Sequence, residues 1–180
     1  MRTHDWTAFL LPMAVLATPA QAADYLSIAQ AQTLLFPAAK HFSEQPLKLD
    51  AGRRDAIKAA SGLRQRWDEQ KAWRAERDGA LLGWMLVDDV IGKHEFITYA
   101  VAISPDGYVL GVEIVSYRET HGGQVREPAW RKHFVGKTVA DPFKLDEDVP
   151  NISGATLSCR NVMDGVKRLL AIHRLYLAKA

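Results

Sequence analysis

Apolar and polar positions alternate most clearly in the middle of the chain. Ile97, Tyr99, Val101 and Ile103 fall on one side of an extended segment, and Thr98, Ala100 and Ala102 on the other. Leu110, Val112 and Ile114 line one face of the next predicted strand, after Ser104-Pro105-Asp106-Gly107, a turn by composition. Upstream, residues 73–77 run into Asp78-Gly79, a two-residue hairpin signal, and on into the apolar run 80–87. Successive strands joined by tight turns form an antiparallel sheet. Towards the end the period lengthens. Val162, Val166, Leu169, Leu170 and Leu177 recur at spacings of three and four, which predicts a helix over 156–178. Lys167, Arg168, Arg174 and Lys179 sit in its second half, where cations suit the helix dipole. Shorter helices are predicted over 27–36, with Ser27 as N-cap and Pro37 as stop, and over 53–60, ended by Ser61-Gly62. A third covers 127–134, with Pro128 in its first turn. Residues 117–125 are polar and glycine-bearing, and 141–148 read as an acidic loop. The predicted fold class is α+β: an antiparallel β-sheet with packed helices, the C-terminal one longest.

The start of the chain has a different character. Arg2 precedes an apolar stretch of about ten residues at 8–17, followed by Ala20-Gln21-Ala22. This is the pattern of a secretory signal peptide over 1–22, cleaved after Ala22, and it is too short for a membrane span. The expected organisation is therefore a signal peptide (1–22), an N-terminal helical segment (23–72) and the main domain (73–180), with the mature protein exported.

Charge and cysteine content narrow the chemistry. With 23 basic and 21 acidic residues, the net charge of +2 gives no support to phosphate-dominated nucleic-acid binding. Residues 53–77 hold eight basic and four acidic side chains, which read either as a solvated face or as a docking patch for an acidic redox partner. The single cysteine, Cys159, makes no internal disulfide, CxxC pair, CxxCH haem site or all-cysteine cluster, and reads as a half-buried helix thiol. Lys93-His94-Glu95 invites a metal or haem reading, but adjacent residues on a strand point to opposite faces, so packing at the surface or beside a cofactor is expected there instead. Trp67, Trp73, Trp84 and Trp130 are expected in the core, with one of them a candidate to stack near a cofactor.

Residues 151–158 (NISGATLS) lie where the long helix begins. Free N–H groups and the positive dipole end favour a phosphate there. On these residues alone a plainer reading also stands, with Ser153 or Thr156 as N-cap and Gly154 making the turn. Ser153-Gly154-Ala155-Thr156 resembles the flavinylation motif of the exported FMN-binding domain. That domain occurs in the G subunit of the Rnf electron-transport complex and in the C subunit of the sodium-pumping NADH:quinone oxidoreductase. It also occurs in NosR-like regulators and in small soluble periplasmic proteins. A second stretch supports the resemblance: Asp106-Gly107 with Gly111-Val112, then Glu119-Thr120-His121-Gly122, Trp130, and Phe134-Val135-Gly136-Lys137.

The resemblance makes residues 73–180 an FMN-binding domain and implies FMN on Thr156 through a phosphoester. A flavin transferase would make that bond, with FAD as donor and Mg²⁺ as its own cofactor. It places Ser153, Gly154, Ala155 and Leu157 around the attachment point and Glu119, Thr120 and His121 in the flavin pocket. The implied function is electron transfer in the periplasm, with a membrane or periplasmic redox partner and no nucleic acid. The alternative is a redox-sensing or non-flavinylated regulatory module of the same fold. Two positions depart from the family pattern: Pro150 stands where an aspartate is common, with Asp148 as a possible stand-in, and His121 replaces the usual proline. A third reading is an FMN-dependent reductase acting on a small molecule; no His, carboxylate or Cys constellation announces substrate chemistry, so an electron carrier is favoured over a stand-alone enzyme.

Overall fold

The computed structural model describes residues 23–178; the expected signal peptide, residues 1–22, and Lys179 lie outside them. The strands are β1 (Ala23–Asp24), β2 (His41–Glu44), β3 (Leu47–Lys48), β4 (Glu69–Arg77), β5 (Ala80–Ile91), β6 (Phe96–Ile103) and β7 (Val109–Tyr117). They form one antiparallel sheet in the order β1-β7-β6-β5-β4-β2, with β3 also paired to β4. The β4–β5 hairpin turns on Asp78 and Gly79 at φ 53° and 81°, the left-handed pair that suits a two-residue turn.

Helix α1 (Ile28–Leu35) starts on a capping box: Ser27 Oγ accepts from Gln30 N, and Gln30 Oε1 from Ser27 N. Helix α2 (Ala51–Ser61) is capped by Asp50 and ends at Gly62, with φ 75°. The short α3 (Pro128–Arg131) begins on its proline, and α4 (Thr156–Tyr176) is the longest helix. The fold is thus α+β, as the periodicity predicts. Residues 23–72 are not only helical, however. They supply α1 and α2 but also β1–β3 and the start of β4, all in the same sheet.

Both sheet faces are covered. Trp84, Leu86, Ile97, Tyr99, Val101, Ile103 and Val112 share a core with Val162, Val166, Leu169 and Leu170 of α4. On the opposite face the smaller Ala100 and Ala102 join Met85 and Val87 beneath Ala31 and Phe36. Leu110 departs from the predicted face. Ala102 pairs with Gly111 but Ile103 with Val109, so Leu110 is the extra residue of a bulge. Val109 takes its place in the core, and Leu110 is exposed. Trp84 and Trp130 are buried and Trp73 partly so, but Trp67 lies on the surface, its ring 6.3 Å from that of Phe96. Half of the basic residues in 53–77 are engaged locally. Arg53 and Arg54 bond to the carbonyls of Lys48 and Leu49, and Arg74 and Arg77 pair with Glu76 and Asp78.

Arg168 does not sit on the surface near the helix end. It is buried and donates to Asp88 Oδ2, which also accepts from the Tyr99 hydroxyl at 2.9 Å. Gly165 makes room for this cluster, since a Cβ there would lie 2.0 Å from the Tyr99 oxygen.

His173, on the same helix, is fully buried, and among the described residues neither ring nitrogen has a hydrogen-bond partner. Burial pushes its pKa from 6.5 down to about 4. The folded state therefore holds the neutral ring, while the unfolded chain takes up the proton first. The stability this contributes is complete above the unfolded value and is lost as pH falls towards the folded one, by about 3 kcal/mol in all. Urea unfolding of wild type and His173→Leu between about pH 7 and pH 4 checks this. The wild type should lose more of its midpoint on acidification than the variant does; parallel profiles would contradict it.

Candidate functional site

Strand β7 ends at Tyr117, between β1 and β6, and residues 118–122 turn back over the start of α4. This loop is clamped to the helix. The Tyr117 hydroxyl donates to the carbonyl of His121 and reaches Ser158 Oγ at 3.4 Å. Burial pushes the Tyr117 phenol up from its ordinary pKa. Gly122 sits at φ 86°, and a Cβ there would lie 2.1 Å from Ala155 Cβ and 2.7 Å from the Tyr117 oxygen. Only glycine lets the two chains approach this closely. Gly122→Ala is therefore expected to cost about 1–3 kcal/mol. It should also raise amide exchange across 118–123, measured by mass spectrometry; unchanged exchange would contradict the clamp.

The helix start is uncapped. Its N-cap is Ala155, no side chain accepts there, and the first main-chain bond of the helix runs from Cys159 N to Ala155 O at 3.0 Å. The reading of Ser153 or Thr156 as N-cap therefore does not hold. The N–H groups of Thr156, Leu157 and Ser158 have no acceptor within the helix. Gly154, at φ 79°, turns the chain, and a Cβ added to it would meet nothing within 4 Å. Thr156 and Leu157 are exposed, whereas Ala155 and Ser158 are buried.

A cleft of about 380 Å³ opens at this point. Gly154, Ala155, Thr156 and Leu157 form one side of its lining, together with Ser158. Glu119, Thr120 and His121 join them across some 35 residues of sequence, with Thr120 Oγ1 3.0 Å from His121 Nδ1. Ser153 is exposed and lies outside the lining.

Lys93 and His94, from the run singled out in the sequence, also line the cleft. Lys93-His94-Glu95 is not on a strand but in the bend between β5 and β6. Glu119 Oε1 accepts from the N–H of His94 at 2.6 Å and of Glu95 at 2.9 Å. Burial opposes ionisation of Glu119, but the backbone N–H groups of residues 95, 94 and 93 outweigh it and hold the carboxyl below its usual range. Among the described residues no three His, Cys, Asp or Glu side chains converge on a metal position.

The approach to the helix is fixed by other contacts. Trp130 Nε1 donates to the carbonyl of Pro150 at 2.8 Å. Asp148 is engaged within its own loop, by Lys137 Nζ at 3.0 Å and Lys144 N at 2.8 Å. Cys159 is fully buried rather than half-buried, and burial pushes its thiol pKa up.

The model of the family described as "FMN-binding domain" matches residues 92–171. This chain carries an FMN-binding domain. The matched segment runs from the β5–β6 bend into α4 and contains every residue lining the cleft. The crystal structure of NqrC from Shewanella oneidensis shares the fold of this FMN-binding domain, with a TM-score of 0.56. The two are 21% identical over 76% of this chain and 80% of that one. Among curated proteins, none is significantly similar in sequence. The residues present fit FMN. The cleft falls in the size range of cofactor sites, its floor is a helix start with free N–H donors, and Gly154 leaves the space beside Thr156 open.

Proposed function

We propose that the protein is an exported, periplasmic electron-transfer flavoprotein that carries FMN on Thr156 through a phosphoester bond. A flavin transferase forms that bond, and a membrane or periplasmic redox partner exchanges electrons with the loaded protein. The observation that carries this reading is the exposed Thr156 at an uncapped helix start, facing a cleft of cofactor size. When bound, FMN supplies both one- and two-electron chemistry, and the protein supplies position and electrostatics. The first turn of α4 would hold the ester phosphate. Its dipole favours that charge by about 0.3–1 kcal/mol where it is exposed. Gly154 keeps the backbone out of the way, and the clamped 118–122 loop closes one wall. The signal-like residues 1–22 support export, and the fold shared with NqrC supports the redox assignment.

The test is intact-mass measurement of the protein exported from a cell that has the flavin transferase. A chain beginning at Ala23 and carrying one esterified FMN is expected. An unmodified chain, where the transferase labels a control substrate, overturns the tether. A full-length chain held in membranes overturns export.

A further inference from the structure

The cleft has a wall that comes neither from the helix start nor from the 119–121 loop: the bend at residues 92–95. Two contacts hold this bend and the strand end that leads into it. The first is Glu119, whose Oε1 takes the N–H groups of His94 and Glu95. Gly92 is buried against the same carboxylate, and a Cβ there would lie 2.4 Å from Oε1. The second is Asn161, whose Nδ2 donates to Ile91 O at 2.6 Å, tying the end of β5 to the second turn of α4. The bend is thus fastened to the helix that presents Thr156 and to the loop that covers it. Glu119 is occupied by main-chain donors, while Lys93 and His94 are exposed and line the cleft.

We propose that the 92–95 bend is a cofactor-binding element in which Lys93 and His94 contact the flavin nucleotide. In this arrangement Glu119 is a positioning residue that holds the bend, not a flavin contact. The inference rests on the reading of Thr156 as the attachment site. Its chemistry is electrostatic. The nucleotide brings a phosphate, and reduction adds negative charge to the ring system. A lysine in the cleft favours the reduced form over the oxidised one.

The experiment uses the full chain, co-expressed with a flavin transferase, as wild type, Lys93→Gln and Lys93→Glu. Reduction is followed by spectroelectrochemical titration of protein whose mass shows one FMN. At a fixed applied potential the reduced-to-oxidised ratio should drop about threefold in Lys93→Gln and about tenfold in Lys93→Glu. For a two-electron couple tenfold is about 30 mV. The differences should shrink as salt is raised. Without flavin, Glu119→Ala should raise amide exchange at residues 92–95 at least about tenfold. Glu119→Gln, which keeps the acceptor oxygen, should restore most of the protection. Equal potentials in all three loaded proteins overturn the binding role of Lys93. Equal exchange in Glu119→Ala and wild type overturns the positioning role of Glu119. If no FMN is attached to Thr156, the attachment reading fails by itself. The bend is then tested by fluorescence quenching of free FMN, where weaker binding to Lys93→Glu supports the inference and unchanged binding overturns it.

Discussion

No flavin should remain on the denatured chain after Thr156→Ala. The hydroxyl of Thr156 is the group at the helix start that can become the ester oxygen, and its nearest rival is badly placed. Ser158 is only 2% exposed and lies 3.4 Å from the Tyr117 hydroxyl, inside the clamp rather than at the open end of the cleft. Thr156→Ser should keep part of the label, because the nucleophile survives while the methyl that restricts its rotamer is lost. Denaturing gel fluorescence with peptide mass mapping gives the answer. A labelled Thr156→Ala chain would move the attachment elsewhere. Pro150 supplies a control: if wild type is labelled poorly, Pro150→Asp should improve labelling, since Asp148 is held by Lys137 and Lys144 and is not free to substitute.

The largest stability loss is expected at Arg168. Removing one partner of a buried ion pair leaves the other without compensation, which typically costs about 3–5 kcal/mol. Arg168→Met would strand Asp88, whose side chain is 1% exposed, against the buried Tyr99 hydroxyl. Replacing both partners, in Asp88→Leu with Arg168→Met, should recover most of the loss, because no buried charge is then left alone. Urea midpoints at neutral pH measure both variants. A double variant no more stable than the single one would mean that the pair is not the source of the effect.

The legible elements carried local signals. Ser27 with Gln30, Asp78-Gly79, Pro128 and the spacing of Val162, Val166 and Leu169 each act within a few residues, and each element formed where they stand. The Asp88–Arg168 pair spans 80 residues, so Arg168 read only as a cation suited to the helix dipole, with no local sign of its buried partner. Leu110 was misplaced because the periodicity carries no trace of a bulge that depends on how β6 pairs with β7. In the site, the helix-start segment was visible from its own residues. The run at Lys93 and His94 stood out, with packing at the surface or beside the cofactor both open, but its hold by Glu119, 25 residues on from His94, carries no local signal. The Tyr117 clamp spans 41 residues to Ser158, and a glycine at 122 hints at such an approach without naming its partner.

Cys159 lies one helical turn from Thr156, so on the proposed attachment it would sit beside a flavin, whose reduced form generates peroxide when it meets oxygen. A thiol becomes sulfenic acid, or joins another molecule's thiol, only as an accessible thiolate. This one is 0% exposed, and its surroundings keep the proton on sulfur. The side chain behaves as a small piece of oil under the helix. Under the proposed function, the framework would neither oxidise at this position nor cross-link through it.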